Sequence, residues 1–212
     1  MKTTDSLKEI ERRAYRSTFD DGIYDMLFGM VFLILALIPV LESVGIPRFY
    51  GYLFGIIPVL FSWLGKRYIT IPRLGAVEFG PKRRSTRLLF LLICAAFFFL
   101  TLPLLFMTTA EGFGGSLAEN SGIPLIVGMV VAPLIVVAAY FLDYPRMYIY
   151  ALVLSFGIPH SGFLYDFVGK PFNSLITFGI PAAAILVFGL TLLFRFMRKY
   201  PKPTSEVPDV SR

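Results

Sequence analysis

Apolar residues fall into six blocks separated by short polar stretches: Gly22–Leu41, Phe49–Gly65, Leu88–Met107, Ile123–Leu142, Met147–Gly162 and Asn173–Phe196. A helix rising about 1.5 Å per residue needs roughly 17–25 residues to cross about 30 Å of hydrocarbon, and the blocks are of that order. The pattern therefore predicts an all-α integral membrane protein with six transmembrane helices over residues 22–196.

The segments outside the blocks have their own patterns. In residues 4–19, Leu7, Ile10, Ala14 and Tyr15 recur at spacings near three and four, with Lys8, Glu11, Arg12 and Arg16 between them. That periodicity predicts an N-terminal amphipathic interfacial helix within a cytoplasmic arm, residues 1–21. In the basic loop 66–87, Tyr68–Ile71 and Ala76–Phe79 have β-forming character and flank a Pro72-Arg73-Leu74-Gly75 turn. The loop reads either as a short hairpin or as an irregular basic segment. Residues 197–212, rich in Pro, Ser, Thr and charge from Pro201 onward, predict a disordered tail.

A faint internal repeat accompanies the blocks. Asp21-Gly22-Ile23, Gly29-Met30-Val31 and Pro47-Arg48 find counterparts in Ser121-Gly122-Ile123, Gly128-Met129-Val130 and Pro145-Arg146, and Pro58 finds one in Pro159. Two copies of three helices would lie upside down relative to each other, a 3+3 inverted repeat as in many secondary transporters. Chance matching within a narrow apolar alphabet is the alternative.

Charge adds an orientation. Of the 20 Lys and Arg residues, 18 fall on the side that holds both termini, leaving Arg48 and Lys170 opposite. Basic residues near helix ends are retained in the cytoplasm, so both termini are expected there, in the plasma membrane of a prokaryote. Composition agrees: 56% hydrophobic residues and a mean hydropathy of +0.72 imply more apolar surface than water tolerates. The net charge of +6 suits anionic lipid headgroups; no base-reading element points to nucleic acid. Cys94 is the sole cysteine and His160 the sole histidine, which excludes an intrachain disulfide and a multi-thiolate or multi-histidine metal site.

Candidate chemistry concentrates at the start of the first block. Asp21 and Asp25 are four residues apart and share a helical face where the chain enters the membrane. Capping by Thr18 or Asp20 and pairing of Asp25 with Arg67 or Arg87 is one reading; a proton, cation or solute site is the other, and Asp25 is its sharper candidate because it lies a turn inside the apolar block. The Asp21-Gly22 pair superficially resembles the opening of the CDP-alcohol phosphotransferase motif. Ile23 and Tyr24 stand where that motif has Ala and Arg, and Leu33 where it needs an Asp, so its two-metal site cannot be assembled. No nucleophile elbow or phosphate loop is present, and the sequence calls for no cofactor and favours a non-enzymatic role.

These features point to a small transporter or channel for a small or apolar solute, with Asp21, Asp25, Pro58 and Pro159 as solute or ion site residues. The alternative is a non-catalytic membrane subunit, alone or as a homo-oligomer. It would meet lipid headgroups or dock a cytoplasmic protein through its N-terminal arm and through Lys66, Arg67, Arg73, Lys82, Arg83, Arg84 and Arg87. The charge split makes a direct prediction. In a Cys94→Ala background, a cysteine at Lys170 should react with an impermeant thiol reagent added outside, and cysteines in the Lys82–Arg84 run should not; the opposite labelling reverses the orientation.

Overall fold

The computed structural model describes residues 19–74, 132–133 and 135–201, and every element among them is helical. We label them α1 (Ile23–Ser43), α2 (Arg48–Leu53), α3 (Ile56–Gly65), α4 (Ile71–Leu74), α5 (Arg146–Val168), α6 (Phe172–Ser174) and α7 (Ile180–Lys199). Two π-helical turns, Lys66–Thr70 and Leu175–Gly179, join α3 to α4 and α6 to α7 without a break.

Among the described residues, three helices are long and apolar enough to cross a membrane: α1 with 21 residues, α5 with 23, and the continuous Phe172–Lys199 helix with 28. They correspond to the first, fifth and sixth apolar blocks. Their outer faces stay apolar; on α5, Ile149, Leu152, Phe156 and Phe163 are all exposed. The chain is therefore an all-helical protein with the character of a multi-pass membrane protein.

The expectation of six transmembrane helices is corrected to these three among the described residues. The block Phe49–Gly65 is not one helix but two short ones separated at Phe54-Gly55. The cause is Pro58: it has no N–H for the carbonyl of Phe54, four residues back, and its ring crowds that carbonyl. Ile57 N donates to Phe54 O instead, at 3.0 Å, as a tight turn. The helix continues from α3 through the π turn to Leu74, but that continuation carries Lys66, Arg67 and Arg73, so only the ten residues of α3, about 15 Å, are uninterrupted apolar chain. Leu88–Met107 and half of Ile123–Leu142 lie outside the described residues, as do the N-terminal segment 1–18, the Lys82–Arg87 run and the tail from residue 202. The 3+3 inverted repeat was drawn on six spans and falls with them; shared Pro and Gly spacings in apolar sequence do not make a structural repeat.

The first strand of the expected hairpin is corrected too, since Tyr68–Ile71 is helical. Its β-forming side chains are overridden by the helix that runs into it from α3. Each π turn ends two residues before a proline, Pro72 and Pro181. A wider turn relieves the clash of the proline ring with the preceding turn, so the helix survives where α-winding would kink.

The described chain divides into two compact units, residues 19–31, 52–74 and 182–201 in the first and 32–51, 132–133 and 135–181 in the second. In the first, Ile23, Met26 and Leu193 form a buried cluster lined by Phe61, Ile69, Leu186 and Met197. Gly22 approaches Gly189 and Leu192, and Gly29 approaches Leu186, so α1 and α7 run antiparallel at backbone-limited separation. In the second unit, Gly157 of α5 receives the Phe178 ring, and Gly51 of α2 receives Ile38 of α1.

Gly22 has φ +75°, and a Cβ there would collide with the Gly189 carbonyl and lie 2.9 Å from Leu192 Cβ. Gly22→Ala combines left-handed strain with overpacking and should destabilise by about 3 kcal/mol or more. Gly162→Ala in α5, where a Cβ meets nothing within 4 Å, should be neutral or mildly stabilising. Thermal unfolding in detergent, monitored by circular dichroism, compares the two; equal midpoints would show that the close approach of α1 to α7 is not limiting.

Candidate functional site: a buried charge cluster at the start of α1

The cluster is built from the entry to α1 and the first π turn. The Asp21 carboxylate is fully buried. Its Oδ1 accepts the Ile23 backbone N–H at 3.1 Å, satisfying one of the donors that a helix start leaves open. Its Oδ2 accepts from Lys66 Nζ and from Thr70 Oγ1, each at 2.5 Å. Lys66 and Thr70 are four residues apart on one helix, and that spacing sets both on the face toward Asp21.

Aromatic rings cover the ammonium. Lys66 Nζ lies 4.6 Å from the Tyr24 ring centroid and 5.9 Å from that of Phe19, and the two rings are 5.2 Å apart. A cation over ring faces is held by their quadrupoles, more strongly where water is excluded. The Lys66 side chain is 19% exposed against 0% for Asp21, so the pair is open to water only from the lysine side.

Asp25 lies one turn further into α1 and is also fully buried. A Cβ built on Gly189 would come within 3.2 Å of its Cβ, so Asp25 faces α7 at the closest approach of the two helices. Pro58 is buried on α3, on a stripe with Ser62 and Gly65; Pro159 belongs to the second unit, within an unbroken α5. Arg67 turns outward and stacks over the exposed Trp63 ring at 5.2 Å. Arg73 is half-buried, its Nε without a hydrogen-bond partner among the described residues. Lys82, Arg83, Arg84 and Arg87 lie outside the described residues.

The structure thus brings Asp21, Asp25 and Lys66 into one unit, and adds Thr70, Phe19 and Tyr24, which the sequence did not single out. The i, i+4 relation of Thr70 to Lys66 was the available signal, hidden because the segment reads as a strand. A second polar group, also missed, lies in the other unit. Asn173 Nδ2 donates to the Ser161 carbonyl at 3.1 Å and to Ser161 Oγ at 3.2 Å, with Ser174 and Thr177 buried beside it. Among the described residues no three His, Cys, Asp or Glu side chains gather as metal ligands.

Apolar spanning helices around a buried ion pair define an integral membrane protein. No family model, curated protein or solved structure matches the chain.

The pair gives a stability prediction. Lys66→Met strands a buried carboxylate and should cost about 3–5 kcal/mol, whereas adding Asp21→Asn to it should recover most of the loss. A double-mutant cycle from unfolding in detergent reads the coupling, and additive effects would mean that the two side chains do not share a buried bond.

Proposed function

We infer that the protein is a small multi-pass transporter or channel, passing a small or apolar solute, with the Asp21–Lys66 pair and Asp25 at its cytoplasmic mouth. The observation that carries this reading is Asp25, a carboxyl with no exposure in the first turn of a membrane-spanning helix and turned toward α7. Ionisable groups at such positions are expensive and mark solute or ion pathways by default. Asp21, held by Lys66 and Thr70, supplies a fixed dipole beside it. Pro58, in the same unit, marks the point before α3 where the helix backbone departs from regular bonding.

The charge distribution supports the orientation. In the first unit α1 begins where α7 ends, and Lys66, Arg67, Arg195, Arg198 and Lys199 belong to that end, which we assign to the cytoplasm of a plasma membrane. Arg67 on Trp63 is suited to the headgroup layer, with the guanidinium toward anionic lipid phosphates.

The test uses proteoliposomes, with swelling in glycerol and urea and an entrapped pH dye as three separate flux readouts. Wild-type vesicles should exceed protein-free ones in at least one, and Asp25→Asn should change that flux about tenfold while the protein stays folded and inserted. Replacing Lys82, Arg83 and Arg84 together by Ser should leave flux unchanged. Flux lost only in the triple variant, with Asp25→Asn inert, removes Asp25 from the pathway and favours the docking subunit.

A further inference from the structure

The second unit contains a cluster of neutral oxygens in the membrane-spanning region whose spacing does not suit hydrogen bonds among themselves. Asn173, Ser174 and Thr177 are all buried, at 6%, 8% and 7% exposure, on the Phe172–Lys199 helix where it widens into the π turn Leu175–Gly179. Gly157 and Ser161, one turn apart on α5, face them. The Thr177 methyl would lie 3.4 Å from a Cβ on Gly157, and the Asn173 amide nitrogen bonds both oxygens of Ser161.

Those two bonds fix the Asn173 amide with its nitrogen on α5, leaving Oδ1 as an acceptor. Ser174 Oγ is 3.5 Å from Asn173 Oδ1 and 3.5 Å from Ser161 Oγ. Hydroxyl hydrogen bonds close at about 2.5–3.0 Å, so both separations are too long for strong bonds. An octahedral cation with metal–oxygen distances of about 2.4 Å, as for Ca²⁺, sets neighbouring ligand oxygens about 3.4 Å apart. Ser174 Oγ already has that separation from each of the other two oxygens.

Thr177 supplies the independent observation. Its Oγ1 is buried and has no hydrogen-bond partner among the described residues, although a helical threonine ordinarily bonds a carbonyl on the preceding turn. Its own carbonyl stands four residues before Pro181, which has no N–H to give it in α-helical register. Thr177 stands four residues after Asn173 and three after Ser174, so its buried hydroxyl belongs to the same side of the helix as theirs.

The geometry points to a monovalent cation site of Na⁺ size formed by Ser161 Oγ, Asn173 Oδ1, Ser174 Oγ and Thr177 Oγ1. The donor set is neutral, so it offers no charge to offset the dehydration of a divalent ion, whose sites use carboxylates. Helices interrupted in their regular bonding present carbonyl and hydroxyl oxygens to Na⁺ in this way. The site stands apart from the transport reading: an ion that binds here is detected at equilibrium, with or without flux.

The experiment is equilibrium binding of ²²Na⁺ to the full chain purified in detergent, with choline chloride holding ionic strength constant. Saturable binding at millimolar Na⁺ is expected, displaced by unlabelled Na⁺ and not by choline. Thr177→Val and Ser174→Ala should each weaken it about tenfold, the loss of one oxygen ligand, while Thr177→Ser retains it. Melting in choline alone confirms that the variants are folded, and Ser174→Ala carries the test if Thr177→Val is not. Absence of saturable binding by wild type, or equal affinity in wild type and a folded Thr177→Val, overturns the site and leaves a polar seam that bonds only to itself and to water.

Discussion

A carboxylate taken wholly out of water must be met by donors, and in the first unit that requirement organises the surrounding chain. Asp21 has three donors, one from the backbone at the start of α1 and two from side chains on the segment that follows α3. The side-chain donors can converge on one oxygen only if residues 66–70 are helical, since in a strand Lys66 and Thr70 would be some 13 Å apart. The pair therefore accounts for a helix where local preference favours a strand. It also places Gly22, the next residue, against α7, where a positive φ and a missing side chain are both required.

Much of this was written in the sequence at low resolution. The first, fifth and sixth apolar blocks mark three spanning helices to within a few residues at most ends, because length and hydropathy are additive along the chain. Continuity is not additive. The block Phe49–Gly65 has the apolar content of a span, yet Pro58 interrupts it at Phe54, a consequence of one missing N–H that an averaged property does not register.

The charges show a similar limit. The shared face of Asp21 and Asp25 was legible from their spacing, but the expected pair was Asp25 with Arg67 or Arg87; that Lys66 meets Asp21 depends on helical phase, which was unavailable while the segment read as a strand. Lys66 turns inward to Asp21 and Arg67 outward onto Trp63, although the two are adjacent. The neutral cluster at Ser161, Asn173, Ser174 and Thr177 was not legible, since Ser161 stands twelve or more residues before the other three and no recognisable spacing joins them.

The first π turn also bears on how this chain tolerates changes of length. Buried positions on the helix from α3 onward are Pro58, Ser62, Gly65 and then Thr70, at steps of four, three and five. Five residues at ordinary α pitch would rotate Thr70 about 140° away from Gly65; the wider turn brings it back. A chain shorter by one residue between Gly65 and Thr70 would close that turn to α pitch and keep all four positions on one face. Single-residue insertions and deletions are then absorbed inside a helix rather than in a loop, and an alignment that confines gaps to loops would misplace Thr70 relative to Asp21.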